Sequence, residues 1–73
     1  MKNEVSRVPV LIYNTGRKDR EACRLVLSAK MPCEFIATAE ENTPRLIYNY
    51  RQFLGFEEIR SFVDKWQRRQ IAL

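Results

Sequence analysis

An uninterrupted apolar segment near the start of the chain constrains the fold most strongly. Val8-Pro9-Val10-Leu11-Ile12-Tyr13-Asn14 is rich in β-branched residues and contains no charged side chain. Such a run is typical of a strand that is buried on both faces, whereas a half-exposed strand alternates between apolar and polar residues. The segment therefore predicts the central strand of a sheet, which ends at Thr15-Gly16.

A helical pattern follows, and a second extended segment comes after it. Between Lys18 and Lys30 the apolar residues recur at the spacing of one helix face. Those positions are Ala22, Leu25, Val26 and Ala29. Met31-Pro32 ends the pattern, because the residue before a proline avoids helical dihedral angles. Residues 33–38 are extended again, and the short crossover predicts that they pair parallel to the first strand.

The second half of the chain predicts a hairpin and then a helix. After the polar loop at residues 39–42, residues 45–48 and 51–54 have strand patterns that are joined by a turn at Asn49-Tyr50. Gly55 ends the hairpin, and Glu57-Glu58 favours the positive end of a following helix. The apolar face of that helix consists of Ile59, Phe62, Val63 and Trp66.

These patterns predict one α/β (α+β) domain with the element order β-α-β-β-β-α and a four-stranded mixed sheet. A chain of 73 residues can bury only roughly 60% of its unfolded surface, so the core must be small. We expect the domain to span residues 8–69, with tails at residues 1–7 and 70–73.

The charge of the chain favours a solvated surface over a nucleic-acid interface. The net charge is +4 and the isoelectric point is near 9.4, but nine carboxylates lie among the basic residues. The densest basic positions are Arg17, Lys18 and Arg20 in the first half and Lys65, Arg68 and Arg69 near the end. Nucleic-acid binding is therefore the less favoured interpretation.

The two cysteines and the absence of histidine exclude several chemistries. Cys23 and Cys33 cannot supply the four ligands of a zinc site, and hydrolase triads generally need a histidine base. No metal site is expected. No apolar run has the length of a signal peptide or of a membrane span, so we expect a cytoplasmic protein with free thiols.

The ordered spacing of several motifs resembles the glutaredoxin branch of the thioredoxin fold. Val10-Leu11-Ile12-Tyr13 is similar to the first glutaredoxin strand, and Cys33-Glu34-Phe35 falls where that family carries a small apolar residue followed by Glu-Phe. Thr43-Pro44 looks like the cis-proline motif, and residues 45–58 are similar to the final hairpin, glycine turn and acidic helix start. The resemblance covers residues 8–66 and implies a minimal thioredoxin-like fold.

Two departures from that family bear on function. The redox Cys-x-x-Cys motif falls on Lys18-Asp19-Arg20-Glu21, so no dithiol mechanism can operate there. Between Phe35 and Thr43 the family normally inserts a helix, and this chain has only a short loop. One face of the sheet is therefore expected to be less covered, which leaves room for a partner or a second copy.

The resemblance assigns a binding role to Thr43 and Pro44. In the family, the cis-proline exposes the backbone of the preceding residue, so that an extended peptide or glutathione pairs with it like an added strand. Glu57, with its neighbour Glu58, stands where the family places the acidic pair near the γ-glutamyl end of glutathione, and Lys18 would meet a ligand carboxylate. Helix capping explains the glutamates equally well.

Glutathione is not the expected ligand. Leu54-Gly55 replaces the usual pair of glycines, and the leucine crowds the approach to the backbone. No other cofactor is implied.

Cys23 is the one weak candidate for a catalytic residue. It lies early in the first helix, where the helix dipole lowers the pKa of a thiol. However, it falls about two turns into the helix, beyond the range of the dipole, and its spacing from Val26 and Leu27 favours a packed side chain. Cys33, at the start of a strand that looks buried, is expected to belong to the core.

The leading hypothesis is a non-enzymatic, glutaredoxin-like binding or adaptor domain. It would engage a protein partner, or form a homodimer, through Thr43-Pro44 or through the bare face of the sheet. One alternative is a single-cysteine redox protein in which Cys23 forms a mixed disulfide with glutathione or with a partner. The second alternative is a weak nucleic-acid binder.

Overall fold

In a computed structural model, which describes residues 8–68, the chain forms four strands and two helices in the predicted order. The elements are β1 (Val10–Tyr13), α1 (Arg17–Ala29), β2 (Glu34–Ala37), β3 (Arg45–Tyr48), β4 (Arg51–Leu54) and α2 (Phe56–Gln67). The sheet is mixed and has the strand order β2-β1-β3-β4. The prediction of an α+β chain with a four-stranded mixed sheet is confirmed.

β1 is the central strand and sets the directions of its two neighbours. It pairs parallel with β2, with Leu11 opposite Phe35, and antiparallel with β3, with Leu11 opposite Leu46. β3 pairs antiparallel with β4, so that Leu46 lies opposite Phe53. These register pairs place Phe35, Leu11, Leu46 and Phe53 in one row across the sheet.

Both helices pack on the same face of that sheet. The fully buried side chains of Leu11 and Leu46 contact the apolar faces of the helices, and the two helices also contact each other. The core side chains from the helices are Ala22, Val26, Ile59, Phe62 and Val63. The domain measures 31 × 30 × 17 Å, and its small thickness fits one layer of helices on one sheet.

The hairpin turn has the backbone conformation that two-residue connections require. Asn49 and Tyr50 have φ angles of 56° and 70°. Positive φ at both central residues is the signature of a type I′ turn, whose twist matches that of the flanking strands. Gly55 follows β4 with φ 91°, which favours glycine, and starts α2.

The predicted element bounds differ from the structure at their ends. β1 covers residues 10–13 rather than 8–14, and β2 covers 34–37 rather than 33–38. α1 begins one residue earlier, at Arg17, and ends at Ala29. Lys30 adopts the left-handed conformation (φ 58°) and donates its N–H to the carbonyl of Leu27, which ends the helix. Residue 69 and the two predicted tails lie outside the described residues.

The prediction that the first strand is buried on both faces was wrong. Leu11 is fully buried, but its neighbours Val10 and Ile12 point to the other face and are only half-buried. All four residues of β2 are exposed, and Cys33 just before it is half-buried rather than a full member of the core. The physical reason is the one-sided packing of the helices.

A pair of matched leucine substitutions tests this core. Leu46→Ala removes a fully buried side chain, and we expect the free energy of unfolding to fall by about 2–5 kcal/mol. Leu27→Ala removes a side chain that is 64% exposed, and we expect a loss below about 1 kcal/mol. Urea unfolding can be followed by the fluorescence of Trp66, whose ring lies 5.4 Å from that of Tyr48. Equal losses in the two variants would contradict the assigned core.

Candidate functional site

Several loops and both helix starts meet at one end of the sheet. Because Tyr13 pairs with Ala37 and Ile12 pairs with Arg45, the end of β1, the end of β2 and the start of β3 lie side by side. The loops at residues 14–16 and 38–44 and the connection at Gly55 therefore occupy this end, which we term the proline end.

Thr43 and Pro44 are the central feature of the proline end. The peptide bond between them is cis. Pro44 is fully buried, and its carbonyl accepts a hydrogen bond of 2.8 Å from the N–H of Gly55. Thr43 is half-buried, and within residues 8–68 neither its N–H nor its C=O has a hydrogen-bond partner. An extended chain beside Thr43 would find both a donor and an acceptor on one residue.

Side-chain contacts hold the loop that leads into Thr43. The Asn14 side-chain amide donates to the carbonyl of Glu40 at 2.7 Å, and this bond ties the loop after β1 to the loop before β3. The Glu40 carboxylate in turn accepts a hydrogen bond of 2.8 Å from the guanidinium of Arg45. Thr43 lies between Glu40 and Arg45 in the sequence, so these hydrogen bonds constrain the position of its backbone from both sides.

Within residues 8–68, the contacts of Lys18 and Glu57 are with residues other than Thr43. The Lys18 ammonium lies 3.7 Å from a carboxylate oxygen of Glu21 and 5.3 Å above the centre of the Phe56 ring. Glu57 accepts a hydrogen bond of 3.2 Å from Arg60 on the exposed side of α2. Both groups are exposed and form ordinary surface ion pairs.

Glu58, the second glutamate of the pair, has a structural contact at the proline end. Its carboxylate accepts a hydrogen bond of 2.8 Å from the backbone N–H of Leu54. This contact joins the end of β4 to the first turn of α2, and it agrees with the capping role that sequence analysis gave as one explanation for the pair.

Asp19 is a structurally important residue whose role sequence reasoning missed. Its side chain is buried, and one carboxylate oxygen accepts a hydrogen bond of 3.0 Å from the N–H of Gly16 at the start of α1. The other oxygen, Oδ1, has no partner among residues 8–68. The signal in the sequence is an aspartate three residues after the glycine that precedes the helix, which is a typical capping position.

Both cysteines are free and half-buried, and their surroundings disfavour the thiolate. Burial raises the pKa of Cys23, and the nearby charge of Asp19 raises it further. Burial raises the pKa of Cys33 to about 11; a backbone hydrogen bond from Leu11 offsets part of this effect, and Cys23 and Glu34 add to it. A thiol that stays protonated at neutral pH is a poor nucleophile.

A shallow groove of about 840 Å³ lies between α1 and β2. Its apolar part includes Tyr13, Leu27 and Phe35, and Cys23 also lines it. Arg24 lies at the same groove and forms no ion pair within the described part of the chain. The groove gives Cys23 contact with solvent, which leaves this thiol the more accessible candidate of the two.

Residues 8–68 contain neither a membrane-spanning helix nor a metal-binding cluster. Neither helix in this range is long and apolar enough to cross a membrane. Within the same range, no three histidine, cysteine, aspartate or glutamate side chains are grouped so that they could hold a metal ion.

Comparison of the chain with protein-family models, with curated proteins and with solved structures gave no match.

A thiol titration tests the environment of the cysteines. We expect both thiols of the native protein to react slowly with a chromogenic disulfide reagent at neutral pH. Cys33 should titrate near pH 11, and Cys23 above its ordinary pKa. Single Cys23→Ser and Cys33→Ser variants assign the two signals, and unfolding in urea should return both thiols to fast reaction with a pKa near 8.5. A native thiol with a pKa below that value would contradict the assignment.

Proposed function

We propose that this chain is a non-catalytic, glutaredoxin-like domain that binds an extended segment of a protein partner at Thr43. The observation that supports this most is the pair of backbone groups on Thr43, next to the buried Pro44, that have no partner among residues 8–68. A bound segment would donate to the carbonyl of Thr43 and accept from its N–H, as in the addition of a short strand.

In the segment where the resembled family carries its redox cysteines, the side chains of this chain make structural contacts. Asp19 supports the start of α1 through Gly16, and Lys18 pairs with Glu21. A buried carboxylate at this place also opposes thiolate formation at Cys23. We therefore propose a redox-inactive protein whose binding end retains only the proline part of the family site.

Single-cysteine redox chemistry at Cys23 is the first alternative. The groove beside α1 gives this thiol contact with solvent, which favours the alternative, and the raised pKa disfavours it. If Cys23→Ser abolished a mixed disulfide between the native protein and glutathione, the alternative would replace our proposal.

Glutathione bound without covalent chemistry would use the same Thr43 backbone. In that case Lys18 and Glu57 would have to leave Glu21 and Arg60, and exposed ion pairs of this kind are worth only about 0–1 kcal/mol. The side chain of Leu54 beside Gly55 remains the stronger argument for a peptide ligand. We propose no resident cofactor.

Nucleic-acid binding through the basic helices is the second alternative. Among the described residues of α2 and its end, Arg60 and Arg68 already pair with Glu57 and Asp64. Affinity that falls steeply with added salt would support this alternative, and a flat response would remove it.

A cytoplasmic setting is part of our proposal, because both thiols are free.

Two substitutions at one residue separate the backbone of Thr43 from its side chain. Thr43→Pro removes the N–H, and we expect it to weaken peptide binding by about 5-fold, the effect of one hydrogen bond. Thr43→Val keeps the N–H and removes only the hydroxyl group, so we expect its affinity to stay within about 2-fold of the parent. The probe is a peptide selected from a random twelve-residue display library on the unaltered protein.

A folding control and a direct readout accompany these variants. Circular dichroism should show that Thr43→Pro retains the native helices. In the unaltered protein, ¹H–¹⁵N spectra should show the amide of Thr43 among those most shifted by the selected peptide. A library that yields no binder, or a peptide that leaves the Thr43 amide unmoved, would refute the proposed function.

A further inference from the structure

β2 forms one edge of the sheet, and half of its backbone groups face outward. Within residues 8–68 it pairs with β1 on one side, and no strand lies on its other side. The N–H of Glu34 donates to the carbonyl of Pro9 at 2.9 Å, and the N–H of Thr38 also donates to a carbonyl of β1. Because alternate residues of a strand turn their polar groups to the same side, the N–H and C=O groups of Phe35 and Ala37 point away from β1. They offer hydrogen bonds to an added strand.

The opposite edge of the sheet, β4, is already partly occupied. The N–H of Leu54 donates to the carboxylate of Glu58 at 2.8 Å, and a strand added there would have to displace this bond. Among residues 8–68, no such bond closes the outward groups of Phe35 and Ala37. β2 is therefore the edge that can receive a further strand.

Phe35 joins this edge to the groove between α1 and β2. Its backbone lies at the edge, and its side chain lines the groove together with Tyr13 and Leu27. The rings of Tyr13 and Phe35 are in edge contact, with their centres 6.4 Å apart. Successive side chains of a strand point to opposite faces of its sheet. Every second side chain of an added strand would therefore lie on the same side as this apolar surface.

The groove carries positive charge that the described part of the chain does not balance. Arg20 and Arg24 line it one helical turn apart on α1, and no described carboxylate lines it. Both arginines are exposed, and within residues 8–68 neither forms an ion pair. An occupant with carboxylate groups would complement this charge, and arginine binds carboxylates through two parallel hydrogen bonds.

The same charge disfavours a second copy of the chain at this edge. An antiparallel pair of β2 strands would continue the sheet across both copies and put the two helical layers on the same side. Arg20 and Arg24 of both copies would then lie on that side, near the shared edge, and like charges oppose association. The arrangement favours an acidic segment of a different protein.

We propose that the edge of β2 and the adjoining groove form a docking site for an extended acidic segment of another protein. The segment adds to the sheet as a further strand, and its backbone bonds to the outward groups of Phe35 and Ala37. On the groove side, an apolar side chain packs against Phe35 and Leu27, and a carboxylate pairs with the two arginines. The site is independent of peptide binding at Thr43, because it uses a different strand and requires an acidic ligand.

A designed peptide and its charge-reversed counterpart test the site. The probe is a capped peptide that repeats the sequence threonine-leucine-threonine-glutamate twice, and the control peptide has lysine in place of each glutamate. In ¹H–¹⁵N titrations at low salt, we expect the acidic probe to shift the amides of Phe35 and Ala37 most. It should bind about 10-fold more tightly than the control peptide, and added salt should reduce this difference.

Two matched pairs of substitutions separate the charge from the backbone. Arg24→Glu should weaken binding of the acidic probe by about 5- to 10-fold, whereas Arg51→Glu, the same change of net charge on β4, should leave it within about 2-fold. Ala37→Pro removes one outward N–H and should weaken binding by about 5-fold, whereas Ala37→Val keeps the N–H and should stay within about 2-fold. Proline is tolerated at an edge position whose N–H faces solvent, so circular dichroism should show an unchanged fold.

Three results would overturn the proposal. The first is no binding of the acidic probe up to about 1 mM, or equal binding of the lysine peptide. The second is a set of shifts confined to the region of Thr43, which would assign the acidic segment to the proline end. The third is a shift of the Phe35 and Ala37 amides with protein concentration alone, which would make a second copy the occupant of this edge.

Discussion

The packing of two helices on a single face of a four-stranded sheet is the constraint on which the rest of the structure depends. Leu11 and Leu46 form the centre of this contact, and both are fully buried between the sheet and the helices. Because a chain of this length has only these two helices among its described residues, the opposite face receives no cover from them. The small core and the sheet face that the helices leave uncovered therefore have the same cause.

The short connections of the chain also determine the structure of the proline end. The start of α1, the loop before β3 and the start of α2 all meet there, and each is held by polar contacts between neighbouring loops. Asp19 contributes to folding at a place where the resembled family carries out chemistry, and its charge makes Cys23 less acidic. What stays available for interaction is the Thr43 backbone, which the fold leaves without a partner in residues 8–68. This combination is the reason we propose a binding role.

The local patterns of the sequence were sufficient to predict the elements and their order. The helical spacing of Ala22 and Val26, the stop at Met31-Pro32 and the turn at Asn49-Tyr50 all depend on neighbouring residues, and the structure confirms each of them. The burial of β1 and β2 was predicted less well. A continuous apolar run has the same appearance whether its second face is covered by a helix of its own chain or by another molecule.

At the candidate site too, some features could be predicted from the sequence and others could not. The position of Thr43-Pro44 directly before a hairpin could be identified from the order of residues alone. The ion pairs of Lys18 and Glu57 could not, because they depend on which way each side chain leaves its helix and on the charged groups available nearby. By itself, the sequence determined the element order, the hairpin turn and the absence of a Cys-x-x-Cys motif, since all three depend on local residue types. Only the tertiary structure decided which face of the sheet the helices cover and which backbone groups lack a partner within residues 8–68, because burial depends on segments that are distant in the chain.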